Sequence, residues 1–149
     1  MKKLGHLLAA GLLFLSPMAL AQDLTDHGAG ARDWLNAFRD GQGRGGLVVS
    51  GRLTDAAAAH AGDMARRGFF SHTGSDGSSI GDRVRAQGYG FCFVAENIAK
   101  GQGSLEKVLA GWANSTGHRR NMLAPEAREF GLVRGPGNLW VMVLGRPGC

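Results

Sequence analysis

Three side chains in this 149-residue sequence could do chemistry together: His72, Glu96 and His118. The first lies in "FFSHTG", the second in "FVAENIAKG" and the third in "NSTGHRRNML". Two imidazoles and one carboxylate are a set that binds zinc or another divalent metal and leaves a fourth position for water. A water so held is a nucleophile, so a zinc-dependent hydrolase is one expectation for this triad. The intervals of 24 and 22 residues belong to no local metal motif such as HExxH. The three must therefore converge through the fold. Ser115 stands three residues before His118, so a Ser115–His118–Glu96 relay is conceivable, with Ser71 and Thr116 as other hydroxyls nearby. A serine nucleophile needs a base and an orienting acid in contact with it. The alternative for each residue is plainer: a polar side chain where an element ends.

Each of the three is placed at a seam between a regular element and a loop. "TDHGAGARDWLNAFR" reads as a helix capped by Thr25 or Asp26, with Trp34, Leu35 and Phe38 on one face. "GQGRGG" ends it as a flexible turn. No strand precedes this run and no Lys-Ser/Thr pair follows, so it is not a phosphate loop. "LTDAAAAHAGDMARRG" is a helix capped by Thr54 or Asp55 and stopped by Gly68. Leu53, Ala57, Ala61 and Met64 form its apolar stripe, and His60 borders that stripe as a core histidine with one ring nitrogen bonded. "SDGSSIGD" lacks the alternating acids and the terminal Glu of a calcium loop and is read as a turn. A short helix follows over Ile80 to Gln87.

"YGFCFVAENIAKG" alternates as a strand, with Tyr89, Phe91, Phe93 and Ala95 on one face and Cys92, Val94 and Glu96 on the other. Glu96 is then an acid at the strand end, either exposed there or buried against a partner. In "SLEKVLAGWANS" Ser104 caps a helix whose Leu105, Val108, Leu109 and Trp112 share a face. Gly117 breaks it, leaving His118 just beyond the break. The tail "FGLVRGPGNLWVMVLG" reads as a hairpin. Leu139, Val141 and Val143 alternate with Trp140, Met142 and Leu144, so this strand is apolar on both faces and must be covered on both. The expected fold is α+β, a three-layer α-β-α sandwich with a central antiparallel sheet.

Residues 1–21 have the form of a secretory signal peptide: Lys2 and Lys3, an apolar run from Leu7 to Leu15, and "ALA" before a cleavage point after Ala21. That leaves 22–149 as a single domain, exported to the periplasm or the medium, with no transmembrane segment and expected to be monomeric. Without Lys2 and Lys3 the formal charge falls from +5 to +3. No arginine-rich helix or aromatic platform accompanies it, which excludes nucleic acid as a partner. Cys92 and Cys149 are the two cysteines, and in an exported chain they are expected to form a disulfide.

Together "FFSHTG", "AENIAKG", "GWANSTGHRRNML" and "FGL…LWVMVLG", in this order, resemble the CAP superfamily (cysteine-rich secretory, antigen 5 and pathogenesis-related proteins; the SCP domain), in its short bacterial exported form. The likeness covers roughly residues 31–145. It implies the same sandwich and a cleft lined by His72, Glu96 and His118. Ala95 stands where the family's "GEN" has Gly, and Ser115 stands where animal and plant members carry a second glutamate. A mechanism with paired acid and base carboxylates is thereby in doubt. The resemblance implies a metal- or ligand-binding module of the cell envelope or medium, with an unidentified lipid, glycan or protein partner. The alternatives are a zinc-dependent, protease-like hydrolase in the same cleft, or a lipid- or sterol-binding protein.

Overall fold

The structure, a computed structural model, describes residues 23–149. The expected signal peptide lies outside the described residues. Its elements in order are β1 (Thr25–Asp26), α1 (Gly28–Asp40), β2 (Val48–Val49), α2 (Gly51–Arg67), α3 (Ile80–Ala86), β3 (Phe91–Lys100), α4 (Leu105–Ala113), α5 (Thr116–Met122), β4 (Glu129–Gly135) and β5 (Leu139–Pro147). Strand order is β1-β4-β5-β3. β5 runs through the middle, paired antiparallel with β4 and β3. The sheet is antiparallel except at one point: the short β2 pairs parallel with β4.

The two-faced pattern of β5 is what builds the layers. Trp140, Met142 and Leu144 pack with α1, α4 and α5 through Leu35, Leu109, Trp112 and Met122. Leu139, Val141 and Val143 pack with α2 and α3 through Leu53, Ala57, Ala61, Met64 and Val84. A strand buried on both faces needs a helical layer on each, and the α-β-α sandwich follows.

α2 is able to lie close to the sheet because β4 offers it a glycine. A Cβ on Gly131 would overlap the backbone of Leu53 and Thr54. Gly68, at φ 69°, ends α2 in the left-handed conformation expected of it.

Four local expectations are corrected. Thr25 and Asp26 do not cap α1; they form β1 on β4, and α1 starts at Gly28, whose N–H donates to the Asp26 carboxylate at 2.7 Å. Backbone pairing with β4 takes Thr25 and Asp26, so the helix begins only after them. α2 begins ahead of Thr54, directly after Ser50, because packing over Gly131 extends it. The alternation of β3 is broken by a bulge between Phe91 and Phe93, so these two side chains face opposite layers. Gly117 does not end a helix: Ser115 is the N-cap of α5, and Gly117 and His118 lie within it. Cys92, at the bulge, is disulfide-bonded to Cys149.

Candidate functional site

Glu96 sits in the middle of β3 rather than at its end, and its side chain is 3% exposed. A carboxylate there must be paired. Both of its oxygens are engaged: His72 Nδ1 lies 2.8 Å from Oε1, and Arg83 Nη2 donates to Oε2 at 2.8 Å. A carboxylate only accepts, so His72 donates from Nδ1, and in the neutral ring Nε2 keeps its lone pair. The His72 side chain is 60% exposed.

The loop that carries His72 has no regular structure of its own and is tied down from below. Arg83 donates from Nη1 to the Ser78 carbonyl and from Nη2 to the His72 carbonyl. Asp63 on α2 accepts from Ser75 N–H and Oγ–H at 2.8 and 2.7 Å. His60 is fully buried; its Nε2 donates to the Ser71 carbonyl at 2.8 Å. This is the core histidine expected from the α2 stripe. Burial holds its pKa below the usual imidazole value, against the opposing pull of the Glu96 carboxylate.

His118 is half-buried on α5. Its Nδ1 lies 3.0 Å from Ser115 Oγ. Burial lowers its pKa, and the charge of His72 lowers it further. α5 is fixed against β3 by amides: fully buried Asn97 donates to the His118 carbonyl, and Asn121 donates to Asn97 Oδ1 and the Glu96 carbonyl. Its far end is held by Arg39 of α1, fully buried, which donates from Nη1 to the carbonyls of Met122 and Ala124. A cation suits the negative end of a helix. Beside His118 runs a groove of about 330 Å³, lined by Phe70, Ile98, Lys100, Trp112 and Ser115. Phe70 is 49% exposed at its mouth.

The fold thus divides the expected constellation into two contacts. Glu96 goes with His72, and Ser115 goes with His118. The Ser115–His118–Glu96 relay does not assemble, because Arg83 and His72 take both carboxylate oxygens. Among the described residues no group of three His, Cys, Asp or Glu side chains is gathered to hold a metal ion. Ser71 Oγ accepts from Thr73 N–H within the loop. Arg83, Asn97 and Asn121 were not foreseen. Asn97 had a signal, a second polar residue inside an apolar strand. Arg83 had none, since its side of a seven-residue helix is undetermined by sequence.

Among the described residues no helix is long and apolar enough to cross a membrane. The family model of the cysteine-rich secretory protein (CAP) family matches residues 33–142. The chain is 36% identical over 97 residues to the uncharacterized protein YkwD of Bacillus subtilis (strain 168), covering 65% of this chain and 38% of that one. It is 29% identical over 100 residues to the uncharacterized membrane protein YlbC of the same organism, covering 67% and 29%. It therefore spans less than two fifths of the length of either relative. A crystal structure of an extracellular protein containing an SCP domain from Bacillus anthracis str. Ames superposes with TM-score 0.75 at 28% identity, over 80% of this chain and 40% of that one. An outer surface protein of Borrelia burgdorferi superposes with TM-score 0.74 at 18% identity, over 85% and 99%. With the sandwich, the ordered motifs and the family match in agreement, this chain belongs to the CAP (cysteine-rich secretory protein) family.

Proposed function

We propose that the chain is an exported binding module whose ligand is taken between His72 and His118. One observation carries the preference for binding over catalysis. The cleft's carboxylate, Glu96, has an arginine on one oxygen and an imidazole on the other. A general base must have a lone pair free to reach a proton. Glu96 instead orients His72, and Ser115 beside His118 has no acid behind its histidine. What remains accessible is hydrogen-bonding capacity: His72 Nε2, the His118 ring and the Ser115 hydroxyl, flanked by Phe70 and the apolar groove. That suits a ligand with a polar end and an apolar body. Export is supported by the signal-like first 21 residues and by the extracellular relative from Bacillus anthracis.

A divalent cation is one ligand this pair of rings can take. His72 and His118 would be its protein ligands, with Glu96 orienting His72 from behind, as carboxylates do for metal-bound histidines. A bound cation would supply positive charge to anchor an anionic ligand group. Calorimetric titration of the protein with zinc, beside His72→Ala and His118→Ala, tests this. Micromolar binding lost in both variants supports the histidine pair. Absence of binding, or binding retained in both, removes the metal from the proposal. Casein hydrolysis above background, abolished by Glu96→Gln, would overturn the non-catalytic reading.

A further inference from the structure

Arg39 is fully buried, and its guanidinium is held by main-chain carbonyls: Gly45 on Nε, and Met122 and Ala124 on Nη1. Among the described residues it forms no ion pair with a carboxylate. Carbonyls carry only partial charge, so a full positive charge stays without a counter-ion inside the domain. Burial first, then the charges of Arg128 and Arg44, hold its pKa below the usual guanidinium range.

Above it, at the C-terminal end of α5, the surface opens into a pocket of about 400 Å³. Its wall includes Ala124, whose carbonyl Arg39 holds. Arg44 and Arg120 line the pocket, both exposed, and neither forms an ion pair among the described residues. Glu126 is the one acid in the wall. Arg39, Arg44 and Arg120 against Glu126 leave two positive charges to be answered. A carboxylate ligand answers one of them. A phosphate monoester carries a charge of about −1.5 to −2 at neutral pH, and its oxygens match the guanidinium fork. Phe93, Leu123 and Pro125 give an apolar wall for the group that the ester carries.

We infer that this pocket binds the phosphate of a phosphate monoester, with Arg44 and Arg120 on its oxygens and Arg39 acting from beneath through the low-dielectric interior. The pocket shares no lining residue with the groove beside His118 and stands apart from the function proposed for that cleft.

The test follows the backbone amides of Arg44, Arg120, Leu123 and His72 by ¹⁵N NMR while inorganic phosphate, phenyl phosphate and benzoate are added in turn at matched ionic strength. Both phosphates should shift the first three amides saturably, with a Kd of about 1 mM or below for phenyl phosphate, and leave His72 still. Arg44→Gln and Arg120→Gln alter exposed side chains, and each should weaken binding about tenfold, the loss of a hydrogen bond to a charged group. Arg67→Gln removes the same charge from α2, in the opposite helical layer, and should leave the affinity within about twofold. Glu126→Gln should tighten binding. Vesicles of phosphatidylcholine containing phosphatidic acid separate the sources of the ester. Vesicle binding that phenyl phosphate displaces assigns it to a lipid headgroup, and saturation by the free esters without vesicle binding assigns it to a soluble molecule. The inference fails if neither phosphate gives a saturable shift, if benzoate binds as well as phenyl phosphate, or if His72 moves instead. It fails equally if Arg67→Gln weakens binding as much as Arg44→Gln, or if vesicles bind while free phosphate does not, since diffuse charge and not this pocket would then be responsible.

Discussion

Replacing Glu96 by Gln removes one charge and almost no volume, which makes it a sharp probe of the site. Arg83 is 8% exposed and Glu96 3%, so the variant leaves a guanidinium buried without its counter-ion. Removing one partner of a buried pair costs about 3–5 kcal/mol. The Gln carbonyl can still accept from Arg83, so the lower end, about 3 kcal/mol, is expected, equivalent to roughly 10 °C in Tm for a domain of this size. Arg83→Met should also destabilise, because it strips donors from the Ser78 and His72 carbonyls. The double variant should be more stable than the sum of the two losses predicts, by about 2 kcal/mol, since neither charge is then left alone. Guanidinium unfolding followed by tryptophan fluorescence, with the disulfide intact, gives all three values. Additivity within about 0.5 kcal/mol, or a loss below about 1 kcal/mol for Glu96→Gln, would refute the account of Glu96 as a paired, buried carboxylate.

Three further outcomes are expected. Gly131→Ala places a methyl against the backbone of Leu53 and Thr54, which cannot move as a side chain would, and should cost about 3 kcal/mol or more by urea denaturation. Breaking the Cys92–Cys149 link as a double Ser variant opens a 57-residue separation and should lower stability by about 4 kcal/mol on the chain-entropy account, measured by the shift in denaturant midpoint. The folded pKa values of His60 and His118 lie below the ordinary imidazole value, so both prefer to be neutral in the native state. Their contribution to stability is complete above the unfolded pKa near 6.5 and is lost as pH falls through the lower folded values. Unfolding free energies at neutral and mildly acid pH should show this decline, and a His60→Gln background should reduce its slope.

The sandwich was legible because β5 writes its environment in both of its alternating sets, and because α2 and α4 carry clean apolar stripes. The disulfide followed from a pair of cysteines in a chain expected to be exported. The site was legible only as a list of residues. That His72 would meet Glu96 while Ser115 met His118 depends on two things sequence does not display. One is the path of the irregular loop before Ile80, which brings His72 onto Glu96 from a segment with no periodicity to read. The other is the continuation of α5 through Gly117, which a propensity argument ends too early because it omits the stabilisation from Arg39 and the Asn97 and Asn121 amides. Arg83 is the residue that decides the chemistry of Glu96. Its contact could not be read from a short helix whose orientation is set by packing on α2 and β3.

The amides that seat α5 have an effect outside the cleft. β3 is an outermost strand of the sheet, ten residues long and carrying Phe91, Phe93, Val94 and Ile98. A strand of that kind invites backbone pairing by another chain and is an aggregation hazard unless something blocks it. Asn97 and Asn121 lay α5 along its central stretch, with Asn121 occupying the Glu96 carbonyl itself. The helix that presents His118 is therefore also the guard of an open strand. A variant that loosens this helix would uncover the Glu96 carbonyl on the open edge of β3 and, under the proposed function, disturb the ligand cleft at the same time.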